Sequence, residues 1–249
     1  MVETIIQDYW DNRADTYSEM ISGEMNSFKR NSWSEIIKNK VALKENIKAL
    51  DVGTGPGFFG IIMAQMGYQV TAVDGSEAML QEAERNAEVA GVNIDFIRGD
   101  VENLDLSPES FDLIISRNVT WTLKNPVRTY ENWFKLLRTG GKLIIFDANW
   151  YLRLCCTELQ DRYVRDMDAA LKLGYDCKIH EKQIKVCENI ARDLPLTYKL
   201  RPAWDEEVLM KCGFSKVDLE NDISEKIYTE EEKMAYRTTP MFSICAWKL

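Results

Sequence analysis

The sequence predicts a doubly wound α/β fold on a mostly parallel sheet. Three observations point there. Short β-rich runs alternate with helical stretches between residues 47 and 150, and three of those helices are followed by glycine just before the next strand. A glycine-rich segment also sits where the first strand ends. Strands separated by helices in this way pair in parallel, with helices covering both faces. Right-handed crossovers then leave few topologies.

The elements follow in order. Residues 1–46 read as an amphipathic helical cap. Lys48 to Val52 is the first strand, and Phe58 to Met66 a helix stopped by Gly67. Gln69 to Asp74 is the second strand, Ser76 the N-cap of a helix over Ala78 to Ala90, and Gly91 its stop. Asn93 to Arg98 and Phe111 to Ser116 are the third and fourth strands. A helix over Val127 to Leu137 is expected to stop at Gly140-Gly141, and Lys142 to Asp147 to form the fifth strand. The cofactor-binding core is thus residues 47–150. Residues 151–202 read as a helical lid inserted after the fifth strand, broken at Leu194-Pro195-Leu196 and Arg201-Pro202. Residues 203–249 supply a helix over Asp205 to Lys211 and strands over Phe214 to Leu219 and Met241 to Trp247, which complete the core.

Composition narrows the function. Forty Asp and Glu against 31 Lys and Arg give a charge of −9. Such a surface repels phosphate backbones and argues against a nucleic-acid partner. No run approaches a membrane span, and Met1 to Trp10 lacks a signal-peptide pattern, so a cytoplasmic protein is expected. Oligomeric state is not legible. Cys155, Cys156, Cys177, Cys187, Cys212 and Cys245 have no C-x-x-C spacing, and His180 is the single histidine. No metal site is expected. The lid holds ten Lys and Arg and eight Asp and Glu, making it weakly cationic over an acidic body.

Asp51-Val52-Gly53-Thr54-Gly55-Pro56-Gly57 is the most informative segment. Its glycines let backbone approach a ligand where a Cβ would clash. Gly55 to Gly60 also matches G-x-G-x-x-G, and Asp74 ends the second strand, so an NAD-dependent oxidoreductase is one reading. Asp51 speaks against it: a carboxylate suits a ligand bearing ammonium and sulfonium groups, not a pyrophosphate. Gly99-Asp100 after the third strand supplies an acceptor for an exocyclic amine.

Asp51 to Gly57, Val73-Asp74-Gly75-Ser76, Gly99-Asp100, Phe111-Asp112-Leu113 and the Gly140-Gly141 turn together resemble the successive motifs of class I methyltransferases. The resemblance covers residues 47–150. It implies a seven-stranded sheet closed by an antiparallel hairpin, and S-adenosyl-L-methionine as cofactor with S-adenosyl-L-homocysteine as product. It implies that Asp51, Gly53, Thr54 and Gly55 hold the methionine part and Asp74 the ribose hydroxyls. Gly75 and Met79 would pack on adenine, Asp100 and the Val101 amide would bond its nitrogens, and Arg117 or Asn118 would face the methyl-transfer centre. The run Tyr9-Trp10-x-x-Arg13-Ala14-x-x-Tyr17 is similar to the helix that covers the cofactor in small-molecule methyltransferases. Arg13 would pair with the methionine carboxylate and Tyr17 would shield the sulfonium.

Transfer from a sulfonium needs mainly alignment and exclusion of water. With one histidine, the expected acceptor is a small molecule already nucleophilic: an amine, a thiol or a carboxylate. Asn118, Tyr151 and Asp147 are the candidates for orienting it or taking its proton. No Asn/Asp-Pro-Pro-aromatic motif follows the fourth strand, which departs from the amino-methylating DNA enzymes of this family. A non-catalytic module that binds S-adenosyl-L-methionine is the remaining alternative.

Overall fold

The computed structural model describes residues 2–41, 46–176 and 181–249. Cys177 and His180 lie outside the described residues. Three helices open the chain: α1 (Val2–Asp11), α2 (Ala14–Met25) and α3 (Phe28–Lys40). The core follows as β1 (Lys48–Val52), α4 (Phe58–Gln65), β2 (Gln69–Asp74), α5 (Glu77–Ala90), β3 (Asp95–Arg98), β4 (Phe111–Arg117), α6 (Pro126–Leu136) and β5 (Leu137–Ala148). The insert carries α7 (Thr157–Lys172) and α8 (Glu181–Arg192). The chain ends with α9 (Ala203–Lys211), β6 (Lys216–Glu220), α10 (Ser224–Ile227), α11 (Glu230–Ala235) and β7 (Met241–Trp247).

The strand order is β3-β2-β1-β4-β5-β7-β6, with β7 antiparallel to both neighbours and the other pairings parallel. Both faces are covered, which is why the middles of the central strands carry apolar residues on both faces. On β4 and β5, Leu113, Ile115, Ile144 and Phe146 pack with Trp33, Ile37 and Phe59 on one side. The intervening Ile114, Leu143 and Ile145 pack with Tyr130, Trp133 and Leu209 on the other.

Two expectations are corrected. α6 is not stopped by Gly140-Gly141: its cap, Leu137, is already extended. β5 pairs with β4 from Phe111↔Leu137, then slips to Leu113↔Lys142, so the glycines form a bulge within one strand. Gly140 has φ +82 and donates its N–H to the Lys248 carbonyl at 2.7 Å. The helix over Tyr9 to Tyr17 is also not continuous. It breaks at Asn12-Arg13, where the Asn12 side chain takes the Asp8 carbonyl at 2.6 Å.

The insert leaves and returns at one point. The Asn149 side chain donates to the Arg201 carbonyl at 2.7 Å and accepts from the Arg201 N–H at 3.1 Å. The Arg201 guanidinium is 1% exposed. It grips Asp205 through two bonds of 2.8 and 3.0 Å, and donates to Asp147 at 3.2 Å and to the Thr120 hydroxyl at 2.7 Å. From this base α8 packs on α1, with Cys187, Ile190 and Ala191 of α8 and Leu194 just after it in one cluster with Tyr9 of α1 and with Trp121 from the turn after β4. α7 packs on α11, where Asp166 receives Arg237 and Thr238.

Removing one member of such a buried ion cluster leaves its partners uncompensated. Arg201→Met is expected to cost about 3–5 kcal/mol, read as a lowered urea midpoint with the slope unchanged. An unaltered midpoint would show that the cluster does not anchor the insert.

Candidate active site

Sheet order places the site. β1 and β4 are neighbours whose following helices leave to opposite faces, and ligands bind outside the carboxyl ends of strands at such a switch point. A cleft of about 460 Å³ lies there. It crosses four strand ends in spatial order: Gly99 and Asp100 after β3, Asp74 on β2, Gly53 and Gly55 after β1, and Arg117 with Asn118 at β4.

The floor is the glycine loop. Gly53 and Thr54 donate their N–H groups to the Val73 carbonyl at 2.8 and 3.0 Å, which pins the loop to β2. A Cβ on Gly53 would lie 2.3 Å from the Val119 side chain, and its φ is +69. Glycine is therefore dictated by the approach of the chain after β4. Val119 lines the cleft.

Asp51 and Asp74 shape this loop differently. Asp51 is 2% exposed and does not line the cleft. One of its oxygens accepts from the Thr54 hydroxyl at 2.6 Å and from the Gly60 N–H at 2.8 Å, and burial pushes its pKa up to about 7. Thr54 faces Asp51 rather than the cleft. Asp74 does line it: one oxygen accepts from Gly55 N–H at 2.8 Å, the other from Ser76 N–H at 2.9 Å. Burial raises its pKa as well. A carboxylate keeps about four acceptor positions, so Asp74 retains capacity for a ligand.

At the β3 end, Asp100 accepts from Glu102 N–H at 2.9 Å and the Asn103 amide at 2.6 Å. Gly75, Met79 and Val101 also line the cleft. Glu102 was not singled out from sequence. It is buried, and its two oxygens accept from the Lys124 and Asn125 N–H groups at 2.8 Å each, stapling the loop after β3 to the start of α6. Only a three-dimensional pairing reveals it.

The roof is α1 and α2. Ile6, Gln7 and Trp10 of α1 face the cleft, and Trp10 meets Tyr17 at 5.5 Å between ring centroids. Tyr17 lies over Gly55, 3.6 Å from where a Cβ would be. Tyr9 and Arg13 are on the far side. Arg13 is buried, donates to the Tyr9 hydroxyl at 3.2 Å and lies against the Tyr9 and Tyr17 rings. Burial, then the Cys187 thiol beside it, push the Tyr9 phenol up to about 12.

At the β4 end, Asn118 has φ +59 and a buried Oδ1 without a hydrogen-bond partner, and its side chain lies beside the Tyr17 hydroxyl. Asparagine tolerates this left-handed conformation better than most residues. Arg117 donates to Glu24 at 2.8 Å, while its Nε is buried without a partner.

Two expected catalytic candidates are corrected. Asp147 is fully buried and occupied by five donors: Thr120, Trp121 N–H, Ala148 N–H, the Trp150 indole and Arg201. It serves the insert's base, not the cleft. Tyr151 packs with Trp121 and lies beside Cys187, and burial pushes its phenol well above the ordinary value. The insert itself contributes no residue to the cleft among the described residues; it supports α1 from behind. No cluster of metal-ligating side chains occurs among them either.

A family described as a methyltransferase domain matches residues 43–194. The ubiquinone biosynthesis O-methyltransferase of Coxiella burnetii is 33% identical over 113 residues, covering 45% of this chain and 48% of that one. The release factor glutamine methyltransferase of Lactococcus lactis is 36% identical over 111 residues, 41% of this chain and 40% of that one. The chain spans about half the length of the curated relatives it matches. Among solved structures, Haemonchus contortus phosphoethanolamine N-methyltransferase 2 in complex with S-adenosyl-L-methionine gives a TM-score of 0.61 at 18% identity. That match covers 88% of this chain and 52% of the other. It is a likeness of fold.

Two outcomes test the loop. Gly53→Ala is expected to lose about 1–3 kcal/mol of stability through overpacking and strained backbone, with part of the loss recovered in Gly53→Ala/Val119→Ala; no recovery would mean that Val119 is not what excludes the methyl group. Asp51 titrates near 3.8 unfolded and about 7 folded, so between those values the folded chain keeps a proton that the unfolded chain releases. Its contribution to stability is present below 3.8 and fades as pH rises to about 7. Asp51→Asn should flatten that part of the stability profile, measured by urea unfolding at stepped pH.

Proposed function

Since the chain belongs to the methyltransferase-domain family, we propose that it transfers a methyl group from S-adenosyl-L-methionine to a small-molecule acceptor. The observation that carries this reading is the cleft itself. Glycine backbone and the half-free carboxylate of Asp74 lie at its centre, and an unpartnered amide oxygen of Asn118 lies at its β4 end.

The residues fit such a donor. Asp74 offers acceptors to two ribose hydroxyls, and Met79 with Gly75 gives an apolar surface for a flat base. Asp100 and the Val101 amide present an acceptor and a donor to its edge. Asn118 Oδ1, left unsatisfied by the protein, suits an ammonium group. A pyrophosphate fits poorly: the Gly60 N–H at the start of α4, where a phosphate would sit, is bonded to the buried Asp51. When bound, the donor supplies an electrophilic methyl on a sulfonium with a good leaving group. The protein's part is alignment and dryness. Trp10 and Tyr17 close over the loop, and the insert braces α1 in that position. A cleft of this volume, roofed by two helices in a chain of −9, suits a small acceptor rather than a nucleic acid.

Calorimetric titration of the purified chain with S-adenosyl-L-homocysteine tests the reading, with NADH in parallel. Binding of the thioether, weakened roughly tenfold or more by Asp74→Ala, and no heat from NADH are the expected results. Binding of NADH alone would return the glycine loop to an oxidoreductase.

A further inference from the structure

The charged groups lining the cleft are the acids Asp74, Asp100 and Glu102 and the cations Arg98, Lys124 and Arg117, of which Arg117 is the one at the end of β4. Asp74 and Asp100 lie at the β2 and β3 end, and Arg117 at the β4 end, where Asn118 and Tyr17 complete the wall. Arg117 stacks on Trp33, Phe58 and Phe59, with its guanidinium carbon 5.2, 4.8 and 5.8 Å from their ring centroids. Three aromatic faces therefore fix its plane. Its Nη2 bonds Glu24, but Nε has no partner although it is buried. A buried donor left unsatisfied is costly. Glu24 does not cancel this cation alone, because it is shared with Lys29, itself paired to Glu232.

The same end lacks a base. Burial favours the neutral form of Glu24, but Arg117 and Lys29 hold its pKa below the ordinary value. Burial pushes the Tyr17 phenol up. Asp147 is consumed by its five donors. A neutral hydroxyl acceptor would have to release a proton here, and among the described residues no group is placed to take it; an amine, protonated at neutral pH, would meet the fixed Arg117 cation.

We infer that the acceptor is a small carboxylic acid, bound as its carboxylate on Arg117 and methylated on oxygen. This inference rests on the methyltransferase reading. One carboxylate oxygen takes the guanidinium edge and the other attacks the methyl carbon. The O–C bond forms as the C–S bond breaks, and sulfur keeps the electron pair. Carboxylate and sulfonium become a neutral ester and a neutral thioether, and no proton is released.

The test uses the full chain and two matched probe sets: benzoate, phenylacetate and hexanoate against benzylamine, phenethylamine and hexylamine. Each is titrated calorimetrically into protein saturated with S-adenosyl-L-homocysteine. Turnover with S-adenosyl-L-methionine is followed by thioether release and by a pH indicator in weak buffer. At least one carboxylate is expected to bind and to turn over without proton release. Arg117→Lys keeps the charge and the Glu24 partner but lacks the planar edge. It should weaken carboxylate binding roughly 10- to 100-fold, the worth of a charge-assisted hydrogen bond, while still binding the thioether. The inference is overturned if an amine is methylated with one proton released per turnover, if no carboxylate binds the thioether complex, or if Arg117→Lys leaves carboxylate affinity unchanged. Loss of thioether binding in Arg117→Lys also overturns it, by assigning Arg117 to the donor. Failure of the wild-type chain to bind the thioether removes the underlying methyltransferase reading instead.

Discussion

The divergence of the chain after β1 and β4 is the constraint on which the site depends. Two adjacent parallel strands end together, their helices depart to opposite faces, and the backbone between them cannot be covered by either layer. The close meeting of Gly53 with Val119 is the local expression of that divergence. It leaves no room for a side chain at Gly53, so the loop presents backbone to the cleft there. Everything else in the site is hung from this point: Asp74 from the neighbouring strand, Asn118 from the strand opposite, and α2 laid over the top through Tyr17.

The acidic groups show how one residue type divides its work by environment. Asp51 lies beneath the loop and satisfies a hydroxyl and an amide of the protein's own, so its carboxyl group sets loop shape without lining the cleft. Asp74, one strand away, accepts from the Gly55 and Ser76 N–H groups and still lines the cleft. Asp147 is wholly spent on structure. Asp51 and Asp147 are closed off inside the protein while Asp74 lines the cleft, and that access, rather than the number of internal donors, separates scaffold from binding group.

Much of this was legible from local pattern. The bounds of β1, β2 and β7 follow from apolar runs flanked by glycine or charge, and Ser76 caps α5 as its sequence position suggests. The Gly140-Gly141 turn was misplaced because a bulge and a helix stop use the same residue for the same positive φ; only pairing with β4 separates them. Ten of the sixteen candidate site residues line the cleft and six do not: Tyr9, Arg13, Asp51, Thr54, Asp147 and Tyr151. The six have two causes. Asp51 with Thr54 and Arg13 with Tyr9 were placed by motif resemblance, and each pair turns inward to bond within itself over three or four positions. Tyr151 and Asp147 are drawn away by partners distant in sequence: Cys187 draws Tyr151 to the insert, and Arg201 draws Asp147 to its base. Glu24, 93 positions from Arg117, was invisible for the same reason.

The pinned base of the insert has a consequence for how such a chain can diversify. Asn149 and Arg201 close the segment between them like a clasp, and the sheet ends on one side of it. The entropy of closing a longer segment across a fixed gap grows only with the logarithm of its length. Insertions and deletions between the two residues are therefore cheap for the core, provided the clasp itself is kept. Because the segment touches the cleft only by bracing α1, such changes would tune the tilt of the roof rather than redraw the floor. An ancestral scaffold of this kind could explore new acceptors by drift in a peripheral loop while its donor chemistry stayed fixed.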